Sequence, residues 1–343
     1  MILTWFILAQ VIILKAQDAN FTQYFNTPTF YNPAFTGINP GLTVRSIFRN
    51  QLPRQTFGYQ TFSFSADLGE PNLPGFGGVG ILVNSDDFGT GLIHEMSLGL
   101  GLSARIRFGE YVSAQIGVRA SVVQKHINWN DVVFTDQLGT LYGKLYPYYF
   151  NPPEDDKKVY PDFGTGILIQ YAGQNSRVNG TVGFAVDHLF TPDQSFFPDY
   201  SSPLPRKFVV HADFEFAIGK QSDIQHAPKG MNDPLKLSPG ILFQNQGSLN
   251  QLQAGFNIQK FNFTIGGWYK TMFDSPKASY IAVIAGYRFM FGKELSIHIM
   301  YNHDFRIPPT KYGPGEPNEI SLIFRFGKVQ VFGKRGKDVT QDT

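Results

Sequence analysis

A chain of 343 residues has room for two soluble domains or for one large barrel. A formal net charge of +2 argues against nucleic-acid binding by bulk electrostatics, and the absence of cysteine excludes a disulfide framework, a thiolate metal site and a lipoprotein anchor. Counts of 35 Gly, 33 Phe and 16 Tyr beside only 16% charged residues suit strands joined by tight turns and girdled by aromatic rings.

The chain opens with a run from Leu3 to Leu14 that is apolar except for Thr4 and Gln10. That is the length of a secretory signal and too short for a helical span. No Lys or Arg precedes it, and Lys15 follows it. Residues 1–16 are therefore expected to be a signal peptide cut between Ala16 and Gln17. The next stretch, 17–41, is studded with Gly, Pro and Asn and shows no period, so it reads as an ordered lead-in or a plug.

From residue 42 the pattern changes to strands separated by turns. Candidates are 42–50, 57–68, 76–84, 94–108, 111–126, 162–172, 178–188, 206–217, 236–245, 248–258, 260–270, 278–289, 294–304 and 317–327. The clearest pair is 94–126. Met96, Leu98, Leu100, Leu102, Ala104, Ile106 and Phe108 alternate with Glu95, Ser97, Gly99, Gly101, Ser103, Arg105 and Arg107. After Gly109 and Glu110, Val112 to Val122 take the apolar face at even positions, opposite Tyr111, Ser113, Gln115, Arg119 and Lys125. Successive side chains of a strand point to opposite faces, so each strand has one apolar and one polar face. The same alternation recurs at 207–216, 260–270 and 319–326. A soluble sandwich also alternates, but it rarely sustains strands of this length with charges opposite every apolar row. A transmembrane strand needs about 9–11 residues. A mean hydropathy of −0.15 fits this reading, because only alternate residues would meet lipid. The expectation is an all-β, transmembrane outer-membrane antiparallel barrel of 14 strands over 42–327. The basic and then polar stretch 328–343 would form a short periplasmic tail.

Barrels of this class have short periplasmic turns and longer outer loops. Connections 127–161, 189–205 and 305–316 are long and fall on one side, whereas 109–110 and 259 are short and fall on the other. The exception is 218–235, long on the short-turn side, where either the turn carries an insertion or the strand count slips by one.

Several motifs invite a chemical reading. Gly75-Phe76-Gly77-Gly78-Val79-Gly80 matches a dinucleotide fingerprint in letters, but a strand end and a turn follow it where the fingerprint needs a helix. Its glycines instead suit a bent strand and close packing in the lumen. The seven histidines form no metal-binding spacing, and no cofactor is expected. His211 and Asp213 share a face, as a catalytic pair or as part of a lumen hydrogen-bond network. Glu95, Arg105, Arg107, Arg119, Lys125, Arg288, Glu319 and Arg325 point to the lumen by parity. Their mixed signs read as a charge network filling the interior, with an ion-selective pore as the sharper reading. The 127–161 connection carries Trp129, Tyr142, Tyr146, Tyr148, Tyr149 and Phe150, either a partner-binding surface or a loop folded over the mouth. Glu154, Asp155 and Asp156 lack the alternate spacing of a calcium loop.

With a barrel argued, Tyr31-Asn32-Pro33-Ala34-Phe35-Thr36-Gly37 gains significance. Together with Ser97-Leu98-Gly99-Leu100-Gly101, Asp162-Phe163-Gly164-Thr165-Gly166, Val186-Asp187-His188-Leu189, Leu204-Pro205-Arg206-Lys207, Ile265-Gly266-Gly267-Trp268-Tyr269-Lys270, Ala285-Gly286-Tyr287-Arg288 and Asn318-Glu319-Ile320-Ser321-Leu322, it resembles the PorP/SprF family over about residues 17–328. Each motif is short, and their order along the chain carries the likeness. Phe35-Thr36-Gly37 departs from the commoner ending, Lys270 stands where the family usually has Arg, and 218–235 looks longer than usual. The resemblance implies a non-enzymatic outer-membrane barrel of the type IX secretion and gliding systems of Bacteroidetes. Its partners would be other components of that system, outer-membrane lipid, and secreted adhesins or other cargo with a C-terminal sorting domain, exported or anchored at the surface. The residues alone also allow a transporter or channel for hydrophobic or small solutes, with an N-terminal plug.

Overall fold

The computed structural model describes residues 18–327 apart from 52–57, 71–74, 90–91, 130, 133–137, 140–142, 145–151, 154, 174–176, 220–233, 274–278, 293–294 and 309–314. The proposed cleavage site at Ala16 and Gln17, Tyr142, Tyr146, Tyr148, Tyr149 and the tail 328–343 lie outside these residues.

Alternating sequence becomes strand as expected. The strands are β1 (Gly41–Gln51), β2 (Tyr59–Gly69), β3 (Gly75–Phe88), β4 (Ile93–Phe108), β5 (Val112–Ile127), a two-residue pair β6 (Leu138–Gly139) and β7 (Gly143–Lys144), then β8 (Lys157–Ala172), β9 (Val178–Asp187), β10 (Lys207–Ile218), β11 (Leu235–Gln246), β12 (Leu249–Lys260), β13 (Phe263–Met272), β14 (Ser279–Phe291), β15 (Leu295–Ile307) and β16 (Asn318–Phe326). All but β6 and β7 form one closed antiparallel barrel of neighbours in chain order. It closes between β1 and β16, with Leu42 opposite Phe326 and Asn50 opposite Asn318. Closure leaves no open sheet edge, the condition for crossing a bilayer with strands.

The two faces separate as the parity requires. Leu98, Leu100, Leu102, Ile116, Val118 and Val122 are 51–63% exposed on the outer wall. An outward apolar belt of this kind is what a membrane-spanning barrel presents. Arg45, Arg49, Asp67, Gln115, Lys207, Lys270 and Glu319 are buried on the inner wall.

Some boundaries differ from the sequence reading, and one question it left open is resolved. β8 starts at Lys157, five residues earlier than its alternation suggested, because Lys157, Lys158 and Pro161 look like loop residues yet pair with β5. β12 runs on to Lys260, and the turn lies at Phe261 and Asn262, both with positive φ, not at 259. The strand count does not slip at 218–235: β10 and β11 are consecutive antiparallel neighbours, so their connection lies at the short-turn end.

Residues 18–40 run through the lumen. They contain a short helix α1 (Pro28–Tyr31) flanked by 3-10 turns Tyr24–Asn26 and Pro33–Phe35. Prolines at 28 and 33 start two of these turns, where their missing N–H costs nothing. The chain enters at the end carrying the long connections, where Asp18 meets Lys207 at the start of β10 and Gln246 at the end of β11. It leaves at the short-turn end, where Gly41 begins β1 opposite Gly69.

Candidate functional site

The inside of the barrel is the site, and it is built by the fit between residues 18–40 and the wall. On the wall from β3 to β9, small residues let the backbone come close. A Cβ at Gly117 would run into the backbone of Pro33 and Ala34, and one at Gly78 would strike Gly37 and the Leu68 carbonyl. Gly101 and Gly166 likewise make room for Thr36 and Asn32. Gly75 to Gly80 thus has a steric purpose. It lies in β3, which bulges between Phe76 and Gly78, and no helix follows.

Polar contacts lock that fit. Asn32 Oδ1 accepts from Ala34 N at 2.9 Å, capping the Pro33–Phe35 turn, while its Nδ2 donates to the Ile167 carbonyl at 3.0 Å. Gln115 Nε2 and Ser103 Oγ both donate to the Thr36 carbonyl, at 2.8 and 2.7 Å. The upper part of the segment is held by carboxylates. Glu319 accepts from the backbone N–H groups of Thr22 and Gln23 at 2.7 and 2.9 Å and pairs with Arg49. Thr22 Oγ1 donates to Asp304 at 2.6 Å, and Asp304 lies 3.5 Å from Arg49. Near the opposite end Asp67 pairs with Arg45 and accepts from Gly37 N at 3.0 Å.

At the long-connection end, His188 sits between Asp18 and Asp162, each 3.0 Å away, and Lys207 reaches Asp18 at 3.0 Å. Burial works against the His188 charge, but the two carboxylates prevail and lift its pKa to about 10. Burial likewise opposes the Asp18 charge, and His188 and Lys207 overcome it, holding its carboxyl well below the usual range.

The eight charges assigned to the lumen by parity are divided among separate contacts. Arg119 donates to the carbonyls of Thr29 and Phe30 and pairs with Asp187 at 2.6 Å. Arg105 donates to the carbonyls of Gly37 and Ile38 at 3.1 and 2.9 Å and lines a small cavity with Arg107. Lys125 pairs with Glu95 at 3.5 Å, and Glu319 pairs with Arg49. Arg288 donates to Gln259 at 3.0 Å and shares a chamber with Arg325. Arg45, Arg49 and Asp67 were missed, although Thr43, Arg45, Ile47 and Arg49 alternate with Leu42, Val44, Ser46 and Phe48 in β1.

His211 and Asp213 lie 3.3 Å apart and direct their remaining polar atoms to the lumen segment. His211 meets Asn32 at 3.2 Å, and Asp213 accepts from the Tyr24 hydroxyl at 2.6 Å. Trp129 packs edge-on against Phe196 and Phe197 of the 188–206 connection, with ring centroids 6.1 and 6.3 Å away. Among the described residues, no three His, Asp or Glu side chains are arranged to hold a metal ion.

Between residues 24–39 and the wall that runs from β9 through β16 to β1 lies a chamber of about 360 Å³. Trp268 forms part of its apolar roof, stacked on Phe25 with centroids 5.3 Å apart.

The sequence model of the family described as Type IX secretion system membrane protein PorP/SprF matches residues 13–324. No curated relative matches the sequence. Among solved structures the chain is similar to the CymD monoaromatic hydrocarbon channel, at 10% identity and TM-score 0.48 over 88% of this chain and 92% of that one. It is also similar to the Ralstonia pickettii toluene transporter TbuX, at 12% identity and TM-score 0.48 over 88% and 94%.

Proposed function

The chain belongs to the PorP/SprF family of type IX secretion system membrane proteins, and on that premise we propose that it is a closed, non-enzymatic barrel that works at its ends. It would assist export or surface attachment of a secreted adhesin or other cargo with a C-terminal sorting domain, alongside other components of the system. The long-connection end would face outside, following the usual asymmetry of such barrels, and the apolar belt would meet outer-membrane lipid.

One observation carries this reading. Residues 18–40 thread the lumen from end to end and are seated against glycines on one wall, which supports reading them as a plug. With that path filled, recognition falls to the mouth and the outer connections, including the Trp129 cluster. The plug also employs His211 and Asp213 in its own hydrogen bonds, which argues against a catalytic pair.

The test is an affinity pull-down of the tagged protein from detergent-solubilised outer membranes, with partners identified by mass spectrometry. A large secreted protein with its C-terminal domain intact supports the reading, and removing 128–156 should lose it. A barrel recovered empty, under conditions that keep other outer-membrane complexes together, would contradict it. The chamber favours a second reading, a small-solute transporter, which requires the plug to be displaced during transport.

A further inference from the structure

The chamber under the plug has its own chemistry. Its roof is aromatic, from Phe25, Phe35 and Trp268. One wall is basic. Arg288 on β14 faces His298 on β15, Arg325 on β16 faces Ser296 on β15 and Thr43 on β1, and Arg45 lies two residues beyond Thr43. All three arginines line the chamber. The acids of the opposite wall are already committed, Asp213 to Tyr24 and Glu215 to Lys236 at 3.0 Å.

Arg325 is the informative member. Arg45, Arg49, Arg119, Lys125, Lys207 and Lys236 each have a carboxylate partner inside the barrel. Among the described residues Arg325 has no such ion pair, and its side chain is exposed in the chamber. A guanidinium is a planar fork that suits a carboxylate, and an apolar roof above it suits a ring or short chain. A volume of about 360 Å³ falls at the small end of ligand pockets, which span about 300–1,000 Å³.

We propose that this chamber is a binding site for a small amphipathic carboxylate, seated with its apolar part against Trp268 and its carboxylate on Arg325 and Arg288. The ligand binds beneath the plug and needs no path through the barrel, so the assignment stands or falls separately from the choice of cargo.

Trp268 reports on the site directly. In a background carrying Trp5→Phe and Trp129→Phe it is the single tryptophan. Titration of the detergent-solubilised barrel with 2-naphthoate is expected to quench its emission saturably. Arg325→Gln should weaken binding at least about tenfold, the scale of a lost charge-assisted hydrogen bond. The uncharged 2-naphthamide should bind more weakly and be indifferent to Arg325→Gln. Ser238→Trp, whose side chain would fill the chamber, is followed by calorimetry and should abolish 2-naphthoate binding with all three arginines in place. Each variant is scored once its heat-dependent gel shift shows a folded barrel. Should Arg325→Gln fail to fold, the Ser238→Trp and 2-naphthamide comparisons decide. Non-saturable quenching up to millimolar 2-naphthoate would overturn the proposal. So would equal affinity for acid and amide.

Discussion

The two halves of the barrel wall meet the lumen segment in different ways. From β3 to β9 the wall presents glycine and small polar residues, and residues 32–37 press their backbone directly onto it. From β10 to β16 it presents Leu242, Trp268, Met300, Ile323, Arg288 and Arg325, so side chains stand between wall and segment and the chamber remains. The comparison teaches that one wall fixes the position of the segment through sterics, while the other leaves space that chemistry can use. Close packing is intolerant of added atoms, whereas a half-filled chamber absorbs them.

The largest expected effect breaks the tight wall. Gly117→Val puts methyl groups where the backbone of Pro33 and Ala34 lies, so the cost should exceed the ~1–3 kcal/mol of ordinary overpacking. The chain has no native cysteine, so an Ala34→Cys reporter can be read cleanly with a maleimide. Ala34 is fully buried, so the reporter thiol should be protected in the parent barrel and labelled readily beside Gly117→Val. Ser238→Leu, on the chamber wall, should leave it protected.

Next comes the carboxylate that holds the start of the segment. Glu319→Gln removes the charge facing buried Arg49, and breaking one side of a buried pair costs about 3–5 kcal/mol. The temperature at which the folded gel band disappears should fall clearly. An unchanged temperature would mean that the pair contributes little.

A smaller change sharpens the comparison. Asn32→Ala loses the cap on the Pro33–Phe35 turn and the bond to the Ile167 carbonyl, a cost of about 1–2 kcal/mol. Its signature should be faster labelling of the Ala34→Cys thiol with the barrel itself intact.

The most gradual effect is pH dependence at the long-connection end. The folded pKa of His188, about 10, lies above its ordinary value, so its contribution to stability is fully present below about 6.5. It declines above that and is lost as pH rises through about 10. Thermal stability should erode over this window in the parent, and His188→Gln should remove that component of the slope.

The strands were legible because parity is local. Each of β4, β5, β10 and β16 announces itself through residues two apart, and their lipid and lumen faces follow. The ends were less legible, as at Lys157 to Pro161, where charge and proline mimic a loop but pairing with β5 prevails. The lumen charges could be assigned a face, but their partners could not be named. Arg49 and Glu319 meet only because the barrel closes β1 on β16, and Arg105 donates to backbone carbonyls that carry no sequence signal. Residues 18–40 were hardest to read, since a segment held by caps, prolines and glycines on other strands has no period of its own.

The central claim is that residues 18–40 close the lumen, so that the barrel acts at its ends. Ion conductance across a planar bilayer tests this most directly, comparing the intact protein with a variant lacking 18–40 and with Gly117→Val. The account predicts an intact barrel that is electrically silent, with a steady pore opened by the deletion or by the displaced segment. An intact barrel that conducts as well as the deletion variant would contradict it, and would make the lumen a route for solutes.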